Sequence, residues 1–162
     1  MDLTLIFWSP ISQITLALIL GSFIGLERTF AGKTAGMRTY GLVSMSSCIF
    51  VVISGILGAG LNLGPDVLRI APAIVTGIGF LGAGLIIFKE SKLSGLTTAA
   101  GLWVACGVGI AVGFGFYTIA IFASALTVFD FTILWYIENW IKKLASKNNK
   151  DNSGESGGEL TS

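Results

Sequence analysis

From Leu93 to Phe129 the chain runs thirty-seven residues without a charge, and that run limits the fold more than any other feature. A helix rises about 1.5 Å per residue and needs about 20 apolar residues to cross a hydrocarbon core roughly 30 Å thick. The run is therefore too long for one crossing and too apolar for water. Gly113-Phe114-Gly115 supplies a break inside it, which predicts one span over 95–113 and another over 115–137. Three more uncharged runs, 3–26, 39–60 and 70–88, are each long enough for a crossing. The expected fold is all-α: a polytopic membrane protein of about five transmembrane helices. Composition agrees, with 53% hydrophobic and 12% charged residues, where soluble domains carry about 25% charged.

The charged residues fall between the spans. Lysine and arginine number three in the loop after the first span (Arg28, Lys33, Arg38), two after the third (Lys89, Lys92) and four after the fifth (Lys142, Lys143, Lys147, Lys150). The turn after the second span has only Arg69, and the turn after the fourth has none. By the positive-inside rule, the N-terminus is expected outside and the C-terminus in the cytoplasm. Pro10 suits a first helical turn, where its missing N–H costs little. Trp135, Tyr136 and Trp140 suit a membrane–water boundary at the end of the fifth span. Residues 1–145 read as one transmembrane domain and 146–162 as a disordered, polar, cytoplasmic tail.

Gly77, Gly79, Gly82 and Gly84 lie within eight residues of the third span. Each would cost about 1 kcal/mol in a water-exposed helix, but in lipid small residues let helix backbones approach. Gly77, Gly79, Gly82, Ala83 and Gly84 are thus expected to make the third span a packing hub; a glycine-lined path or a broken helix is the alternative.

The polar inventory for chemistry is small. There is no histidine, and Cys48 and Cys106 both fall inside spans, so they read as small buried hydrophobes rather than zinc ligands or a disulfide. Glu27, Arg28 and Arg38 can gather at the cytoplasmic mouth as an ion-paired cluster, with Thr39 and Tyr40 beside it, either as a functional site or as interfacial anchors. Asp66 and Arg69, three apart, read as a helix cap or ion pair. Thr97 and Thr98 open the fourth span, whose N-terminus favours an anion, though caps and small-residue packing explain them as well. Asp130 lies inside the fifth span, where a carboxylate costs roughly 2.5–3.5 kcal/mol at mid-helix and invites a functional reading; Arg28, Arg38 or a residue of another protein could pair with it. Asp66 and Asp130 are weak candidates for a metal ion. Magnesium wants one or two carboxylates and keeps its waters. The residues point to no catalytic machinery, so no enzyme is expected, and nothing suggests nucleic acid.

Several runs taken together resemble the membrane domain of the MgtC/SapB family of bacterial inner-membrane proteins. They are Gly25-Leu26-Glu27-Arg28, Ala35-Gly36-Met37-Arg38-Thr39, Asp66 with Arg69-Ile70-Ala71, Gly77 to Gly84, and Gly95-Leu96-Thr97-Thr98-Ala99-Ala100 before Leu102-Trp103. The chain departs from the family pattern at Val67, Pro72, Ala73 and Ser94, which puts more weight on Glu27, Arg28, Arg38, Asp66 and Arg69. The resemblance implies a multi-pass protein of the bacterial inner membrane, linked to magnesium limitation and, in pathogens, to virulence. It further implies, for some members, inhibition of the F-type ATP synthase by contact in the bilayer. The expected function is therefore that of an accessory or regulatory protein acting on another membrane protein. The alternative is a transporter or channel for Mg²⁺ or another cation, working as a homo-oligomer that brings copies of Asp130 together. No cofactor is expected, Mg²⁺ excepted.

Overall fold

A computed structural model describes residues 3–60, 69–89, 92–137 and 140–141. Among these, the chain forms helices α1 (Leu3–Phe30), α2 (Met37–Gly60), α3 (Ile70–Leu85), α4 (Leu96–Gly113) and α5 (Tyr117–Phe129), and α5 runs on into a π-helical turn over Asp130–Leu134. Four helical stretches are long and apolar enough to cross a membrane: Ser9–Phe30, Met37–Ala59, Leu96–Gly113 and Tyr117–Ile137. The protein is an all-α, multi-pass membrane protein.

The boundaries differ from the sequence expectation in three places. Helix α1 starts at Leu3 and continues to Phe30, so Pro10 lies inside it rather than at its first turn. Helix α3 stops at Leu85 rather than Phe88, which leaves 16 residues, or about 24 Å of rise. Its apolar run ends instead in β1 (Ile87–Lys89), paired antiparallel with β2 (Lys92–Ser94) in a hairpin that leads to α4. Third, α5 loses regular α geometry at Asp130. The break at Gly113-Phe114-Gly115 falls where expected. Gly115 has φ +81°, a conformation glycine adopts without the Cβ penalty. The turn containing Asp66 and the tail over 146–162 lie outside the described residues.

By its contacts the chain divides into Met1–Val128 and Phe129–Ser162. In the first unit, α1 packs on α2, α2 on α4, and α3 mainly on α4. The contacts are set by small residues one helical turn apart. A Cβ on Gly21 would sit 2.6 Å from both Ser44 Cβ and Tyr40 O, and one on Gly25 would sit 2.7 Å from Met37 Cα. On α4, Gly109 lies against the Ser44 carbonyl, and a Cβ on Gly113 would sit 2.7 Å from Val51 Cβ. Two glycine pairs of i, i+4 spacing thus clamp α1 and α4 onto α2, and α1 and α4 also touch each other. Tyr40, Ser44, Cys48 and Val51 lie in the fully packed seam between them.

The expectation that α3 forms the hub does not hold within this chain. Beside Gly77, Gly79 and Gly84 nothing lies within 4 Å of a Cβ position, Ala83 is exposed, and only Gly82 approaches a neighbour, with Ala99 Cβ at 3.7 Å. The reason is placement: α3 meets α4 along Ile78 and Gly82, the two residues of α3 that are buried, and it touches α2 only sparsely. In the second unit, Trp135 and Tyr136 are exposed and meet edge to face, with ring centroids 5.0 Å apart.

Candidate functional site

The best-defined polar cluster sits where the end of α1, the start of α2 and the start of α4 converge. The last turns of α1 carry Glu27 and Arg28, whose side chains form an ion pair. Arg28 is only 3% exposed, a rare state for arginine unless it is paired. The turn beyond is held by its own bonds. The Lys33 N–H donates to the Arg28 carbonyl at 3.0 Å, and the Met37 N–H donates to Thr29 Oγ1 at 2.9 Å, capping the first turn of α2.

Tyr40, one turn into α2, closes the cluster. It is fully buried and donates its O–H across to the Thr98 carbonyl of α4 at 3.1 Å, and its Cβ lies against Gly25, one turn before Arg28 on α1. The start of α4 is set by Gly95 at φ +91°, where any Cβ would strike the Leu85 carbonyl. Only glycine fits this join between hairpin and helix. The geometry therefore holds one buried cation, its carboxylate and a phenol at a three-helix junction, an arrangement suited to fixing three helix ends in register.

Of the residues singled out in the sequence, the structure brings together Glu27, Arg28 and Thr98. Arg38, Thr39 and Thr97 are exposed. Arg69, also exposed, stands at the start of α3. Asp130 is exposed and opens the π-helical turn of the second unit. Asp66 lies outside the described residues. Among the described residues no three of His, Cys, Asp and Glu come together as a metal group.

The sequence places Tyr40 beside this cluster but does not show its bond to the Thr98 carbonyl of α4, nor the polar seam below it. Ser44 Oγ is buried without a hydrogen-bond partner among the described residues, and Ser47 Oγ lies 3.3 Å from Cys106 Sγ. Near the far end of α1, Gln13 Nε2 donates to the Val112 carbonyl at 3.3 Å and to Tyr117 Oη at 3.1 Å. The available signal was helical spacing. Tyr40, Ser44, Ser47 and Cys48 recur at i, i+4, i+7 and i+8 on one face of α2.

Four helical stretches of membrane length and apolar composition, three of them (α1, α2 and α4) packed through small residues around a buried ion pair at one end, define a polytopic membrane domain. The profile of the MgtC family matches residues 14–140, and the chain belongs to that family. It is 33% identical over 161 residues to an uncharacterized protein of Haemophilus influenzae, covering 93% of this chain and 68% of the relative. It is 40% identical over 122 residues to YhiD of Escherichia coli, named as a candidate magnesium transporter, covering 73% and 57%. Protein MgtC of Brucella abortus is 40% identical over 126 residues, covering 75% and 51%. The chain spans between about half and two thirds of the length of these relatives. No solved structure matches it.

Proposed function

We propose that this is an accessory or regulatory protein of the bacterial inner membrane, serving adaptation to low magnesium by contact with another membrane protein. The observation that carries the reading is the outward face of α3. Thr76 and Ala83 are exposed, and Gly79, one turn before Ala83, has nothing within 4 Å of its Cβ position. Lipid tails are as apolar as leucine, so small residues turned outward gain contact chiefly when another backbone comes close. The link to magnesium rests on the family resemblance and on the name of the relative YhiD. Among partners, the F-type ATP synthase is the candidate that the family resemblance brings. The orientation proposed with this reading puts the Arg28–Arg38 loop in the cytoplasm, from the lysine and arginine count.

Gly79→Leu and Ala83→Leu test it. Both are expected to reach normal levels in the membrane yet support growth in low-magnesium medium no better than a strain lacking the gene. Full complementation by both variants would refute the contact. A second reading, a cation transporter, is favoured by the name of YhiD and by the exposed carboxylate of Asp130 within a membrane-length helix.

A further inference from the structure

The membrane-length stretch Tyr117–Ile137 has 21 residues, about the number that one crossing takes, and Asp130 is the single charged residue in it. Asp130 stands seven residues before Ile137, about 10 Å from that end of the helix. The exposed rings of Trp135 and Tyr136 come after it, at the position of an interfacial belt. Asp130 therefore reaches water only if about 10 Å of apolar helix leaves the hydrocarbon core. Lysine and arginine escape such a position by extending a long stem to the interface. A carboxylate on one methylene cannot.

Two observations mark the position. Asp130 is exposed, and among the described residues it forms no ion pair, whereas ionisable residues in membrane helices almost always face a bundle interior or a water-filled cavity. It also opens the π-helical turn Asp130–Leu134, although no proline or glycine between Leu126 and Leu134 forces one. Such turns are rare and occur frequently at functional sites. A second copy of the chain offers no fitting cation. Arg28 is buried against Glu27, Arg38 is only the second residue of the stretch Met37–Ala59, and the stretches Leu96–Gly113 and Tyr117–Ile137 hold neither lysine nor arginine. Two copies meeting at Asp130 would bring like charges together, which disfavours the charged form of both.

We infer that Asp130 is the contact point for a transmembrane helix of a different protein, one that carries an arginine or lysine about 10 Å inside the bilayer. The inference rests on the reading that this protein acts by contact in the membrane, and it adds the chemistry of one contacting residue. An ion pair in hydrocarbon meets no competition from water, and each charge makes the other tolerable there. Asp130 lies on a helix other than α3, so this contact and that of the α3 face can fail separately.

The test places the purified full chain in phosphatidylcholine vesicles with a synthetic leucine–alanine helix of membrane length that carries one arginine about 10 Å from one end. Energy transfer between labels on chain and peptide reports association. The wild type should bind the arginine peptide about tenfold more tightly than a glutamine counterpart, the scale of a strong interhelical polar contact in lipid. Asp130→Asn keeps the shape and the hydrogen-bonding capacity without the charge, and should lose that preference. Asp130→Glu should keep it, which separates loss of charge from poor folding, and so should Gly79→Leu on α3. Equal association of the two peptides with the wild type would overturn the inference, as would a preference that survives in Asp130→Asn or disappears in Gly79→Leu. Energy transfer between two labelled copies of the chain that vanishes in Asp130→Asn would overturn it too, since the partner would then be the chain itself. If the peptide preference holds while Gly79→Leu still supports growth in low magnesium, the α3 contact falls and the Asp130 contact stands.

Discussion

Replacing Gly109 by alanine adds one carbon at the closest approach of two backbones in the protein's core. The new Cβ would sit on the Ser44 carbonyl oxygen, 2.8 Å from its carbon and 3.0 Å from Ser44 Cα. These are main-chain atoms in the middle of α2, which cannot turn aside as a flexible side chain would. Helices α2 and α4 must separate, and the seam at Cys48, Val51 and Gly113 opens with them. Inserting a single carbon into a packed core costs about 1–3 kcal/mol, and the rigid neighbour puts this site toward the upper end. Gly107 provides the control. It lies two residues away on the same helix and has nothing within 4 Å of its Cβ position, so Gly107→Ala should be neutral or stabilise by about 0.5–1 kcal/mol through helix propensity alone. Unfolding of both variants in detergent, followed by circular dichroism, measures the difference. Equal stability of Gly109→Ala and the wild type, or equal loss in the two variants, would refute the clamp.

The junction cluster yields two further predictions in the same assay. Arg28→Ala should destabilise by about 3 kcal/mol, since it strips the partner from a largely buried carboxylate, with Glu27 19% exposed; Arg38→Ala, at an exposed position, should stay within about 0.5 kcal/mol. Matching losses for the two arginines would mean that Arg28 is only an interfacial anchor. Tyr40→Phe keeps the packing and removes the bond to the Thr98 carbonyl, so it should cost about 0.5–1.5 kcal/mol. No change on melting would show that this bond contributes nothing.

Much of the architecture was legible because it follows from two coarse signals, uncharged length and glycine breaks. The spans and the turn at Gly115 are set by what a bilayer demands of the backbone, and no tertiary information is needed to see that. Packing was less legible, since glycine density misleads. The eight residues from Gly77 to Gly84 carry the most glycine, yet the close contacts belong to the sparser pairs Gly21/Gly25 and Gly109/Gly113. In those pairs the i, i+4 spacing keeps both glycines on one face, whereas Gly77, Gly79, Gly82 and Gly84 point to several sides of α3. The hairpin after Leu85 was hidden because Ile86, Ile87 and Phe88 are apolar enough to continue a span. At the site, Glu27 and Arg28 could be picked out as charges at a membrane boundary. Which arginine is buried could not, because burial depends on how the neighbouring helices pack around the end of α1.

The claim that matters most is that the protein acts by contact and does not itself carry the ion. Mg²⁺ uptake into sealed proteoliposomes containing the purified full chain, with Asp130→Asn and empty vesicles alongside, tests it directly. The account predicts no uptake above empty vesicles for the wild type or the variant, with folding and insertion verified by circular dichroism and protease protection. Saturable uptake by the wild type that disappears in Asp130→Asn would contradict it and make the helix from Tyr117 to Ile137 part of an ion path.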